Sequence, residues 1–460
     1  MAPADPIGEP AAPPAVAGSD DAGPRPGPRE RGANARGAAR RLAFVDDLRG
    51  LAVLLMIVWH TADGWLAPAS RAGAGYEALR VAGGLAAPLF FLLAGASVVL
   101  KLESGRRRGR PARGTQAEIA LRGLSIMALG YGLRLQMWLV DAGAVAQVGA
   151  ARAFVPLVLG IALVVLGLRA ALSGRAGALW RRVAPGVALW GVGLWQATQV
   201  APGRVEGLLR VDVLQAIGAC LVLLALGERA VGLCRRGLAA LALALLVVAT
   251  TPALEATLPS VIPWPVAAYV ARWPSPGARP VAMFPLFPWA AYALAGVAVG
   301  RVVAWARRRD RLAEASTGLV LAGATLAVAL HSGAPDLVPL AGAAAPVRAI
   351  AGLGYKLGWC LALLGGSYAL ARTWRPRTLQ RLGRHSLLAY WWHLELAFGL
   401  AATPVRSRLG LGAVLVGATA VVALMGWLAT LAEGAVGGRL RAIEQRLAPR
   451  VPHGRAAGSG

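Results

Sequence analysis

Apolar residues in this chain come in runs of about 20, the length a helix needs to cross the hydrocarbon core of a bilayer. Twelve such runs can be read, over residues 44–66, 81–100, 119–140, 153–172, 184–202, 211–229, 237–253, 283–303, 316–331, 347–371, 385–402 and 409–431. A soluble chain of this size would devote about 25% of its residues to Asp, Glu, Lys and Arg. Here charged residues make up 15% and hydrophobic residues 57% of 460. The fold class that follows is all-α, a polytopic membrane protein of ten to twelve transmembrane helices, because only helices satisfy their own backbone in lipid when the pattern is not that of a barrel. Stretches such as GLAAPLFFLLAGAS and WGVGLW are rich in small residues. Small side chains let helices pack closely where lipid supplies no hydrophobic drive for association.

The formal net charge of +26 would suggest a nucleic-acid partner in a soluble chain. The arginines instead cluster in short connections between apolar runs, and no RNA- or DNA-binding module is present, so nucleic acid is excluded as a partner. With the N-terminus placed in the cytoplasm, the inner connections and both tails hold 33 of the 48 Lys and Arg, the outer connections nine, and the spans and their edges six. That asymmetry is the one the positive-inside rule describes, and it predicts a multi-pass protein of the cell's inner (plasma) membrane with both termini cytoplasmic.

Residues 1–40, rich in Pro, Ala, Gly and Arg without periodicity, predict a disordered basic tail. The charged region is too long and the following run too complete for a signal peptide. Residues 41–432 form the membrane domain and residues 433–460 a basic cytoplasmic tail. Cys220, Cys234 and Cys360 have no metal-ligand or C-x-x-C spacing, so neither a disulfide framework nor a metal centre is expected. The Pro-rich connection from Leu254 to Ala282, with Trp264, Tyr269 and Trp273, either lies on the membrane surface or rims a cavity.

Ionisable residues inside spans are costly and mark functional sites by default. The first run, RLAFVDDLRGLAVLLMIVWHTADGW (Arg41 to Trp65), has Asp46, Asp47 and Arg49 at one end and His60 and Asp63 toward the other. At 1.5 Å per residue Asp46 and His60 are roughly 21 Å apart, most of a hydrocarbon core. His60 and Asp63 share a helical face, and a carboxylate beside an imidazole is the arrangement of a general base or nucleophile; a structural pair closing the helix end is the plainer reading. Arg49 with Asp46 is either a local ion pair or part of a phosphate site.

Further along, Asp212 and Gln215, at i and i+3 in LLRVDVLQAIG, open the sixth span. They either snorkel to the interface or line the cavity that His60 faces. Trp289 and Tyr292 follow two prolines at the start of the eighth span. His393 and Glu395 lie within the eleventh and point into the bundle, as a packing network or a substrate contact.

Taken in order, the first run, APLFFLLAGAS (Ala87 to Ser97), RVDVLQAIG (Arg210 to Gly218), FPLFPWAAYALAGVAVGR (Phe284 to Arg301) and LGRHSLLAYWWH (Leu382 to His393) resemble the heparan-alpha-glucosaminide N-acetyltransferase catalytic-domain family and its bacterial relatives, within the wider transmembrane acyltransferases. The resemblance covers residues 41–400. It implies an integral-membrane enzyme that takes an acyl group, acetyl above all, from cytoplasmic acyl-CoA to a carbohydrate or other small acceptor across the bilayer. No metal is implied. On that resemblance His60 would stand for the family's histidine, and Asp46 and Arg49 for the cytoplasmic start of its motif; from the residues themselves Asp63 is expected beside His60 as catalytic, Arg49 and Asp46 at CoA, and Asp212, Gln215, Trp289, Tyr292 and His393 at the substrate. One departure is that His60 lies within the helix, whereas members of the human type carry the histidine in the loop after it. As base, His60 would deprotonate the acceptor; as carrier, it would take the acyl group itself. A transporter or flippase is the competing class, and it would favour paired repeats and broken helices, which this chain does not display. Oligomeric state is left open.

Overall fold

The computed structural model describes residues 28–141, 148–172, 177–200, 205–258, 261–272, 282–331, 345–374 and 376–434. The first helices are α1 (Pro28–Trp65), α2 (Ala74–Gly83), α3 (Ala86–Arg107) and α4 (Ala112–Asp141). They are followed by α5 (Val148–Leu172), α6 (Gly177–Val200), α7 (Val205–Leu209) and α8 (Val213–Val231). Next come α9 (Gly237–Thr257), α10 (Trp264–Val270), α11 (Leu286–Arg308) and α12 (Leu312–Ala329). The last are α13 (Ala345–Thr373), α14 (Arg377–Arg384), α15 (Ser386–Phe398) and α16 (Leu411–Glu433). Among the described residues there is no strand, only the isolated bridges Leu66–Leu409 and Val211–Ala282.

Each of the twelve expected runs is largely helical over its described residues. Among the described residues seven helices are both long and apolar enough to cross a membrane: Ala74–Arg107 (α2 and α3 together), α8, α9, α11, α12, α13 and α16. Helices α1, α4, α5 and α6 have spanning length as well, at 38, 30, 25 and 24 residues. The expected run 385–402 narrows to the 13 residues of α15, because the chain bends at His385 between α14 and α15. The protein is thus an all-α, multi-pass membrane protein.

The chain divides into Met1–Arg41 and Leu42–Gly460. Helix α1 begins at Pro28, where an unstructured tail had been expected to run to residue 40. Proline is well placed in a helix's first turn, and the following RERGANARGAARR is dominated by the helix formers Arg and Ala. Residues 1–27 and 435–460 lie outside the described residues.

In the second unit α5 packs on α6, α12 on α13, α4 on α8, and α11 on both α3 and α9. The core gathers Phe44 and Leu48 of α1 with Leu89, Phe91 and Leu92 of α3, Val297 of α11 and Met425 of α16. Small residues set these distances, as their abundance in the spans suggested. A methyl group on Gly95 would strike the Ala293 carbonyl, and one on Gly296 the Leu92 carbonyl, so α3 and α11 touch backbone to backbone.

The same device clamps α1. A methyl on Gly383 in α14 would strike the Asp46 carbonyl, and one on Gly50 the Leu379 carbonyl. At the other end a methyl on Gly64 would strike the carbonyl of Ala397 in α15. The end of α1 is also tied to the segment before α16, where Ala67 N–H donates to the Leu409 carbonyl (2.9 Å) and Leu409 N–H to the Trp65 carbonyl (3.0 Å). Likewise Met283 N–H donates to the Val211 carbonyl (3.1 Å), joining the approaches to α8 and α11.

Backbone cannot yield to an added side chain as a flexible side chain can. Gly383→Leu should therefore cost about 3 kcal/mol, the upper part of the overpacking range. Thermal unfolding in detergent checks this against Gly366→Leu, whose site in α13 has open space and should leave the transition unchanged.

Candidate functional site

The apolar part of α1, residues 42–65 of the 38-residue helix, carries polar groups toward both ends. At one end the Arg49 guanidinium donates to Asp46 Oδ1 at 2.9 Å and to Ser97 Oγ on α3 at 3.5 Å. Both Arg49 and Asp46 keep about a third of their side chains accessible, at 27% and 32%. Asp47, beside them, is buried, with Gln380 and Arg384 of α14 as its polar neighbours. The ion pair foreseen between Arg49 and Asp46 is thus formed, and its second anchor is the serine that closes the APLFFLLAGAS stretch.

Toward the other end, His60 meets His393 of α15, with His60 Nδ1 2.9 Å from His393 Nε2. The two rings are parallel within 3° and their centroids lie 5.2 Å apart. His393 is fully buried, and its Nδ1 reaches the Ala389 carbonyl at 2.7 Å. Phe398 sets its edge against His60 at 5.6 Å, and Tyr390 sets its edge against His393 at 5.7 Å. His60 itself is half-buried.

Asp63 does not supply the carboxylate expected beside His60. Arg71 engages it instead, donating to the Asp63 carbonyl at 2.7 Å with the carboxylate at 3.8 Å. The same guanidinium donates to the Leu66 carbonyl. Arg71 therefore caps the carbonyls left unpaired where α1 ends, a role that draws Asp63 toward the loop rather than toward the imidazole. The His60–Asp63 pairing is corrected accordingly, and the partner of His60 is His393.

Asp212 and Gln215 face the same way, as their spacing foretold. Asp212 is the N-cap of α8, and its N–H donates to Gln215 Oε1 at 3.3 Å, one half of a capping box. The Asp212 carboxylate also forms a buried ion pair with Arg134 of α4. Arg134 lies near Tyr390, and two residues further along α4 Gln136 hydrogen-bonds Glu395. Helix α4 thus meets the start of α8 through Arg134 and Asp212, and the His393 helix through Gln136 and Glu395. Arg134 was missed in the sequence, although an arginine in the middle of an apolar run, YGLRLQ, is itself the signal.

Trp289 and Tyr292 belong to an aromatic cluster with Phe284 and Phe91, with Trp289–Tyr292 centroids 5.8 Å apart. Among the described residues no ring contact or hydrogen bond joins this cluster to the histidine pair. Tyr269 in α10 bonds through its hydroxyl to Tyr131 of α4, so part of the Pro-rich connection packs against the bundle. Trp273 lies outside the described residues. A cleft of about 130 Å³, lined by Arg106, Arg110, Thr115, Glu228 and Arg235, has room for about four waters. Its arginines are held by Glu103, Glu118 and Glu228, in keeping with a topogenic role.

An all-α membrane protein with a paired-histidine site on a helix polar at both ends is the class so defined. The family model described as "Heparan-alpha-glucosaminide N-acetyltransferase, catalytic" matches residues 41–146 and 141–332. The chain belongs to that family, a family of membrane acetyltransferases. The matched residues include His60, Asp63, Arg134, Asp212, Gln215, Trp289 and Tyr292, whereas His393 follows them in the chain. No curated protein and no solved structure matches.

Removing one partner of a buried ion pair leaves the other charge without compensation, at a cost of about 3–5 kcal/mol. Arg134→Met should lower stability by that much, and adding Asp212→Asn, which keeps a capping side chain, should restore most of it. Unfolding in detergent of the two single variants and the double variant gives the coupling directly.

Proposed function

We propose that this chain transfers an acetyl group from cytoplasmic acetyl-CoA to an amine or hydroxyl of a sugar-type acceptor on the far side of the plasma membrane. The observation that carries the reading is the division of the apolar part of α1: a partly exposed Arg49 toward one end and the half-buried His60 roughly 16 Å further along the axis. In the orientation proposed from the arginine distribution, both tails are cytoplasmic and Arg49 faces the donor. Arginine suits the phosphates of CoA because its planar fork donates to several oxygens at once, and Asp46 and Ser97 orient it.

A thioester is already activated, so the site has to supply a base, exclude water and favour the tetrahedral intermediate. His60 is the base or acyl carrier. Phe398 and the packed ends of α1 and α15 shield it. The half-buried Trp289 offers a flat face for a sugar ring, backed by Tyr292. Asp212 and Gln215 act at a distance, by fixing Arg134 on α4, the helix that also reaches α15 through Gln136 and Glu395.

Purified protein in lipid, given radiolabelled acetyl-CoA and then an amino-sugar acceptor, should pass label to the acceptor. His60→Ala should reduce that transfer by about 100-fold or more, the contribution expected of a general base or nucleophile. Transfer undiminished in His60→Ala would remove His60 from the mechanism. Arg49→Met should raise KM for acetyl-CoA more than it lowers kcat, as expected for a group that holds the donor rather than the reacting atoms.

A further inference from the structure

His393 holds the key to which nitrogen of His60 can react. The Ala389 carbonyl can only accept, so the 2.7 Å contact requires a proton on His393 Nδ1. The described partners of both rings are each other, a carbonyl and aromatic edges, because Asp63 is turned to Arg71. With no carboxylate in that set to pair an imidazolium, both rings are neutral. A neutral His393 protonated on Nδ1 carries its lone pair on Nε2. The 2.9 Å contact to His60 is then bridged by the proton on His60 Nδ1. Each step is forced by the one before it, and the last places the His60 lone pair on Nε2.

We infer that His393 is a positioning residue: the Ala389 carbonyl and the His393 ring together hold His60 in the Nδ1–H tautomer and present its Nε2 as the reactive nitrogen. This rests on the proposed role of His60 and assigns His393 away from substrate contact. The ring that orients a catalytic imidazole usually answers to a carboxylate. Here a neutral imidazole anchored to backbone does so, which suits a site inside a membrane because no net charge has to be buried. The parallel ring planes add a second constraint, since Nε2 is aimed as well as unprotonated. Chain order hides this relation, for the two histidines are 333 residues apart.

The arrangement serves either route. If His60 is the base, Nε2 takes the acceptor's proton, and the resulting imidazolium keeps Nδ1–H donated to His393. If His60 is the carrier, Nε2 forms the C–N bond as the C–S bond breaks and CoA leaves as thiolate, later protonated from water. The Nδ1 proton then moves along the hydrogen bond to His393 Nε2, leaving a neutral acyl-imidazole and an imidazolium still bonded to Ala389.

Three variants and one spectrum test the assignment on the full-length protein in lipid. His393→Leu, which keeps volume but accepts no hydrogen bond, should lower kcat about 10–100-fold at nearly constant KM for both substrates. In His393→Gln the amide oxygen takes the place of Nε2 and can accept from His60, so most of kcat should return. In His393→Asn the amide sits at the Nδ1 position, short of His60, and activity should stay low. In the wild type, ¹⁵N-histidine labelling should show a nitrogen–nitrogen coupling across one histidine–histidine hydrogen bond, absent from His393→Gln. That measurement decides the matter even if His393→Leu does not fold.

A raised acceptor KM at unchanged kcat in His393→Leu would overturn the assignment in favour of substrate contact. Equal activity of Gln and Asn variants, or a wild-type spectrum without the coupling, would overturn it too. Those failures leave the proposed function standing provided His60→Ala is still inactive. Activity in His60→Ala would bring down both.

Discussion

Everything at the site depends on how closely α1 lies against α14 and α15. Two imidazoles can share a hydrogen bond only if their helices approach within a narrow range, and in lipid no hydrophobic force holds them there. Glycines do. Gly50 and Gly383 let α1 and α14 meet backbone to backbone, and Gly64 lets α1 meet Ala397 in α15. His60 lies between these two points of closest approach in the sequence of α1, and His393 shortly before Ala397 in α15. A wider spacing at either point would separate the rings before it disturbed the helices.

Most of the other polar groups described in and beside the spans are matched with a partner. Arg49 has Asp46 and Ser97, Asp63 has Arg71, Arg134 has Asp212, and Glu395 has Gln136. Such matching is what a low-dielectric surrounding demands, because an unmatched charge there costs several kcal/mol. The histidine pair differs in kind. It is satisfied without any formal charge, and one residue of the two is only half-buried. Chemistry that moves a proton has most to gain at such a place, since its charged form appears only during the reaction.

Periodicity and composition made the helices legible before the structure did, because bilayer thickness dictates run length directly. Residue type and depth also pointed to Arg49, His60, Asp212, Gln215 and His393 individually. Their partners were another matter. An i, i+3 spacing suggested Asp63 for His60, yet the end of α1 left carbonyls that Arg71 had to satisfy, and Asp63 went with it. His393 could be placed inside the bundle but not opposite His60, since only packing between helices far apart in sequence decides that. Arg134 was overlooked for a plainer reason: amid 48 basic residues, one in a span reads as topogenic unless its depth is weighed. The helical start at Pro28 was missed because proline and glycine in the preceding segment masked an Arg- and Ala-rich run.

The separation along α1 also constrains how the proposed reaction must be organised. Arg49 and His60 are roughly 16 Å apart along the helix, so a CoA held by its phosphates cannot react at His60 through its nucleotide end. The thioester, however, terminates a long flexible arm, which can thread along a helix bundle while the charged nucleotide stays at the interface. Only an uncharged arm and a small acyl group then enter the membrane, and the costly phosphates never do. An acceptor sugar, rich in hydroxyls, has to come from the other side, where α1 ends among Phe398, Arg71 and the loop tied to Leu409. The histidine pair lies near that end rather than at the midpoint of α1. The fold thus suits a division of labour in which the donor bridges most of the distance and the acceptor very little.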